Sequence, residues 1–293
     1  MLEYSLRFLG SELAPRIPDK AYFHVIPVGY EMSVSYGAGT AQGPEAILRA
    51  SDQLELFDGT GCPGEAGIFT QQPVDCSVSA IEDAPEILAR VSRAVLAALD
   101  CNAVPVLLGG EHTITFGALQ ALKSKFGRIG VIQFDAHADL RDSYEGSRWS
   151  HACVMRRAVA DLGLPLVQFG CRAFSLEESQ ARAVYGVTAW DAPYLARNPQ
   201  PDKLVPDDFP EMVFLTFDVD GLDPSIIAET GTPAPGGLGW YQALDLAAAA
   251  LSGRKLLGFD VVELAPRPGS RASDFAAASL VYALMGLALR STT

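Results

Sequence analysis

Short apolar runs, rich in β-branched and aromatic residues, recur along the chain and alternate with stretches of helical periodicity. The runs predict strands at Phe23–Val28, Val104–Leu108, Ile129–Phe134, Leu166–Gly170, Val213–Phe217 and Leu256–Val262. Between them, Pro85–Leu99 places Ile87, Leu88, Val91, Val95, Leu96 and Leu99 on one stripe, as in a helix with one buried face. Tyr241–Leu251 and Ala272–Leu289 are alanine- and leucine-rich and read as helices by propensity. Strands that are apolar throughout are covered on both faces, so the expectation is an α/β fold around a mostly parallel sheet. There is no internal repeat or clear linker. The Gly/Pro-dense segments at 59–67, 231–239 and 266–269 read as loops, which makes residues 1–293 a single domain.

The polar residues gather where the strands end. Gly-Gly-Glu-His112 follows one run, Asp135-Ala-His-Ala-Asp139 the next, Asp218-Val-Asp220 a later one, and Glu263 the last. All lie at the carboxyl ends of candidate parallel strands, the edge where open α/β sheets bind ligands. Charged residues rarely close a buried strand without compensation. An isolated Asp-x-Asp is usually a turn or a cap. In Asp-x-His-x-Asp, alternation along an extended strand end points all three side chains to one face. Together His112, Asp135, His137, Asp139, Asp218 and Asp220 offer two imidazoles and four carboxylates, enough to neutralise a pair of divalent cations. So oxygen-rich a set suits Mn²⁺ or a similar hard ion, and a bound metal pair can turn water into a hydroxide nucleophile near neutral pH.

Composition adds mainly exclusions. A net charge of −13 argues against nucleic acid, whose binding needs clustered Lys and Arg. The five scattered cysteines contain no CxxC pair and fit a reducing cytoplasm rather than a disulfide framework. The N-terminus carries no evident signal peptide, and the longest apolar stretch, Ala276–Leu289, looks too short to span a bilayer, so no membrane role is expected.

The motifs also resemble a family. GGEHTIT (Gly109–Thr115), FDAHADLRD (Phe134–Asp142), SHACVMRR (Ser150–Arg157), FDVDGLDPS (Phe217–Ser225), GTPAPGG (Gly231–Gly237) and FDVVELAP (Phe259–Pro266) are similar, in order and spacing, to those of the ureohydrolases. This is the arginase and agmatinase family, and the bacterial and archaeal agmatinase branch fits best. Ser35–Pro44 looks like the family's substrate-side loop, and the resemblance runs from about Val25 to Leu284. It implies a three-layer αβα fold, two Mn²⁺ per subunit (with Ni²⁺ or another divalent ion as the alternative) and a homo-oligomer, trimer or hexamer. It also implies that His112 and Asp139 bind one metal, His137 and Asp220 the other, and that Asp135 and Asp218 are shared. Catalysis falls by the same resemblance to His151, Glu263 and Asp139. Glu263 would hold the substrate guanidinium, His151 would shuttle a proton to the leaving amine, and Thr232 would add a hydroxyl contact.

The expected partner is a small cationic guanidino compound, first agmatine, hydrolysed to putrescine and urea. Guanidinobutyrate, arginine or free guanidine are the alternatives within the reaction class. A polyamine deacetylase and a non-catalytic homologue lie outside it. The complete ligand set argues against both. Elsewhere, His24 reads as structural, Asp223 as a turn former and Cys153 as packing. Arg141, Asp142, Tyr144 and Glu145 either line the pocket mouth or form a solvated loop. Glu229, where a small residue is expected, and the 267–274 stretch depart from the family pattern.

Overall fold

The apolar runs pair side by side into one sheet. The computed structural model describes residues 6–291. Its strands are β1 (Phe23–Val28), β2 (Ile68–Thr70), β3 (Val104–Gly109), β4 (Gly130–Phe134), β5 (Leu166–Phe169), β6 (Thr188–Trp190), β7 (Met212–Asp218) and β8 (Lys255–Val262). They run in the order β2-β1-β3-β8-β7-β4-β5-β6, and every pair is parallel. The six expected strands are all present. The two that the sequence did not suggest, β2 and β6, are three-residue edge strands, too short to carry a periodic signal.

Helices α1 (Gly43–Ser51), α2 (Ala84–Asp100), α3 (Thr115–Phe126), α4 (Val154–Ala160), α5 (Leu176–Tyr185), α6 (Ala192–Leu195), α7 (Trp240–Leu251) and α8 (Ala272–Arg290) complete the chain. Only α2, α7 and α8 were expected. α3 and α4 begin inside the GGEHTIT and SHACVMRR motifs, where polar chemistry masks the helical stripe, while α5 opens on a Ser175/Glu178 capping box.

Alternate strand residues face opposite layers. On one side α1, α7 and α8 cover Val25, Val106, Leu108, Phe134, Phe217 and Phe259; on the other α2, α3 and α4 cover Ile26, Leu107, Val131, Phe214 and Leu257. The three-layer αβα expectation is therefore met, with the sheet wholly parallel. By length and composition α8 could cross a bilayer, so the stretch is longer as a helix than its apolar run suggested. It is 56% buried inside the molecule, with Leu280, Val281, Leu284 and Met285 in the core.

The topology decides where the chemistry sits. The four strands that end in the polar motifs, β3, β8, β7 and β4, are the four central neighbours of the sheet. Phe134 lies in register with Phe217 and Phe169 and stacks on both, at 5.0 and 4.9 Å between ring centres. This aromatic layer is the floor from which Asp135 and Asp218 emerge.

Candidate metal centre

Close backbone approach draws the strand ends together. A Cβ on Gly110 would lie 2.1 Å from the Tyr30 carbonyl oxygen, so only glycine lets the loops after β1 and β3 touch. The Glu263 N–H then donates to the Gly110 carbonyl (2.8 Å), which ties the end of β8 to the same point. Asp139 and Glu263 sit in left-handed backbone, with φ of 52° and 68°. That conformation costs a non-glycine residue about 1–2 kcal/mol, strain of the kind held at functional sites.

All six expected ligands converge. His112 Nδ1 lies 3.0 Å from Asp139 Oδ2, 3.2 Å from Asp135 Oδ2 and 3.6 Å from Asp218 Oδ2. His137 Nδ1 lies 3.1 Å from Asp220 Oδ2 and 3.5 Å from Asp135 Oδ1. Two clusters result, His112/Asp135/Asp139 and Asp135/His137/Asp220, each with its donor atoms within 4.8 Å of one another. Asp135 belongs to both, one oxygen to each. Asp218 stands at the edge of the first, oriented by the bond from the Asp220 N–H to its Oδ1 (2.9 Å).

The residues present fit a pair of cations. His112 Nδ1 is buried and has no hydrogen-bond partner, yet three carboxylate oxygens surround it. An orphaned nitrogen among oxygens is a poor protein interior and a good metal cage. Burial, then the Asp135 charge, pushes Asp139 up to about 7, and burial with Asp220 and Asp135 lifts Asp218 well above the carboxylate range. Burial alone would lower His137, but Asp220 and Asp135 outweigh it and raise the imidazole to about 12. His112 is raised in the same way by Asp135 and Asp139. Asp139 and Asp218 need positive charge beside them to stay ionised.

Buried polar residues that the sequence reading passed over hold the ligands in place. His112 Nε2 meets Thr216 Oγ1 at 2.8 Å, and Thr216 in turn bonds Asp260, which also accepts from Thr115 Oγ1 (2.6 Å). Gln133 Nε2 donates to Asp135 Oδ2 (2.7 Å), Gln168 Nε2 to Gln133 Oε1 (2.6 Å), and Arg182 Nε to Gln168 Oε1 (2.8 Å). Gln133, Gln168, Thr216 and Asp260 are fully buried and sit within otherwise apolar strands. Such a polar interruption was the available signal. Metal ligands need partners of this kind to fix their orientation.

Glu263 Oε1 accepts the His112 N–H at 2.6 Å, and Thr232 Oγ1 is 3.4 Å from Asp220 Oδ2. Glu263, Thr232 and His151 line a pit of about 20 Å³ over the clusters, and His151 and Thr232 also line the cleft of about 390 Å³ above it. Burial, then the charges on His112 and His137, pushes His151 down to about 4. Arg141 and Tyr144 line the cleft, with the Arg141 guanidinium 4.9 Å from the Tyr144 ring centre. Asp142 instead faces solvent and pairs with Arg157, and Glu145 is exposed.

The remaining sequence readings also find their places. His24 Nε2 meets the Pro18 carbonyl, Asp223 accepts from Ser225, Gly236 and Gly237, and Cys153 is buried. Glu229 accepts from Ser270 Oγ and bonds Ser273 Oγ, so the two departures from the family pattern are partners in one loop clamp.

Residues 21–286 match the model of the arginase family. The chain belongs to the arginase family. It is a ureohydrolase, a hydrolase of carbon–nitrogen bonds in linear amidines. An N(1)-aminopropylagmatine ureohydrolase of Synechocystis sp. is 38% identical over 96% of this chain and 93% of its own length. An agmatinase of Pyrococcus horikoshii is 32% identical over 99% of this chain and 100% of its own. Among solved structures, the agmatine ureohydrolase of Thermoplasma volcanium superposes with a TM-score of 0.82 at 26% identity, covering 98% of this arginase-family chain and 96% of its own.

Proposed function

We propose that this arginase-family chain holds two divalent cations, Mn²⁺ first, and hydrolyses a linear cationic guanidine to urea and an amine. His112 and Asp139 take one cation and His137 and Asp220 the other, with Asp135 and Asp218 shared. The observation that carries this reading is Asp135, whose two oxygens face two different imidazoles at 3.2 and 3.5 Å. When bound, the cations supply a water acidified to near neutral.

The chain's own residues do the rest. One oxygen of Glu263 is engaged by the His112 N–H, which leaves the other for the guanidinium in the pit. Thr232 bounds the same pit, and the substrate tail extends up the cleft past Tyr144. The balance is R–NH–C(NH₂)₂⁺ plus water to R–NH₃⁺ plus urea. Both water protons end on the leaving nitrogen, one carried by Asp139 and one by His151. Agmatine, giving putrescine, and its N1-aminopropyl derivative are the substrates we expect, because the Pyrococcus and Synechocystis relatives bear those names. We expect a homotrimer or hexamer in a reducing cytoplasm; all five cysteines are free thiols.

Urea release from both substrates, and from guanidinobutyrate, arginine and guanidine, tests the reading in Mn²⁺-loaded enzyme. Preference for one of the first two, lost in Asp135→Asn together with bound metal, supports it. Urea from another guanidine moves the substrate and keeps the centre, whereas failure to bind metal refutes the whole assignment.

A further inference from the structure

His151 has the task of moving a proton in the reaction proposed above, and a neutral imidazole can do so in only one direction from each ring nitrogen. Which nitrogen carries hydrogen therefore matters, and it is set by what the other side of the ring meets. His151 Nδ1 is 3.1 Å from Ser33 Oγ, and the His151 backbone N–H donates to the same oxygen at 2.9 Å. Ser33 Oγ in turn lies 2.9 Å from Glu111 Oε1.

Glu111 is fully buried and directly precedes His112. Its Oε2 accepts the Met32 and Ser33 backbone N–H groups, both at 2.7 Å, and its Oε1 accepts from Thr113 Oγ1, also at 2.7 Å, as well as from Ser33. The two amide donors cannot reverse, which holds Oε2 as an acceptor and the carboxyl in one orientation; as the ionised carboxylate, Glu111 accepts on Oε1 as well. The single Ser33 hydroxyl hydrogen is thereby committed to Glu111. Its two lone pairs face the His151 N–H and Nδ1, and the second contact is satisfied only if Nδ1 is the donor.

We propose that Ser33, locked by Glu111, is a positioning residue that fixes His151 with hydrogen on Nδ1 and a bare Nε2. In that state Nε2 accepts one proton released from the attacking water and returns it to the leaving nitrogen as the C–N bond breaks, and the ring ends neutral as it began. Ser150 Oγ lies farther from Nδ1, at 3.4 Å, and its hydroxyl oxygen can accept from Nδ1 alongside Ser33. The loop after β1 thus reaches across the sheet to set the proton chemistry of a residue 118 positions away.

The proposal rests on the reading of His151 as a proton carrier, and its test separates the two. With only four histidines, nitrogen-15 histidine labelling of enzyme loaded with a diamagnetic divalent cation resolves each ring in a long-range proton–nitrogen spectrum. The wild type should show a protonated Nδ1 and an unprotonated Nε2 for His151. Ser33→Ala should lose that signature, and kcat should fall about 10–100-fold with KM and bound metal unchanged. His151→Asn is the reference. If it retains full kcat, the assignment of His151 fails. If it is impaired but Ser33→Ala keeps both spectrum and kcat, the positioning role fails alone. A wild-type spectrum with hydrogen on Nε2 overturns the proposal even if Ser33→Ala does not fold.

Discussion

Replacing Gln133 with leucine should weaken the metal centre without altering any ligand. The direction of the buried chain that reaches Asp135 is dictated from its far end. Arg182 can only donate, so Gln168 must present its oxygen to Arg182 and its NH₂ to Gln133 Oε1. Gln133 is left with its own NH₂ for Asp135 Oδ2, at 2.7 Å. Leucine has a similar volume but removes one charge-assisted bond, worth about 1.5–3 kcal/mol. Asp135 keeps the His137 N–H on Oδ1 (2.6 Å) but can now rotate about it. A lost orienting partner of this kind costs about 10–100-fold in metal affinity, or about 1.4–2.8 kcal/mol. Because Asp135 serves both clusters, both cations should be affected. Calorimetric titration of metal-free protein with Mn²⁺ measures this directly, with urea release at saturating metal as the companion assay. Affinities within twofold of wild type at both sites would show that Gln133 merely fills space, and the argument from the chain's polarity would be wrong.

Chelation should destabilise the fold, because four aspartates lose the charge they surround; at a cation concentration of 100 times Kd the bound form gains about 2.7 kcal/mol, and Tm by differential scanning fluorimetry should rise by about 5–10 °C. His151 is held neutral, with its pKa down at about 4, so its contribution to stability is complete above the unfolded value near 6.5 and is lost as pH falls toward 4. The Tm of wild type minus that of His151→Asn should therefore shrink across that window, and a difference independent of pH would contradict the depressed value. Glu229→Ala should cost about 1–2 kcal/mol by releasing Ser270 and Ser273, with metal binding unchanged; chemical denaturation with a parallel metal titration checks both halves.

Much of the site was legible because its chemistry is compressed into short strings. Asp135, His137 and Asp139 lie within one strand end, as do Asp218 and Asp220, and each follows an apolar run that could only be a buried strand. The residues that orient them were harder to see. Thr115, Thr216, Gln133 and Gln168 look like isolated polar residues, and nothing local says that one meets His112 and another Asp135. Arg141 and Asp142 make the same point: they are adjacent in sequence, yet one lines the cleft and the other faces solvent.

The sequence by itself determined the six central strands, the α/β class and the candidate donors, because apolar runs and donor types are local properties of the chain. Tertiary structure alone decided that β3, β8, β7 and β4 stand side by side, so that residues 112, 135, 218 and 263 share one edge. It alone brought Ser33 and Glu111 behind His151. Strand order and side-chain direction depend on which distant surfaces bury one another, and no window of sequence contains both partners.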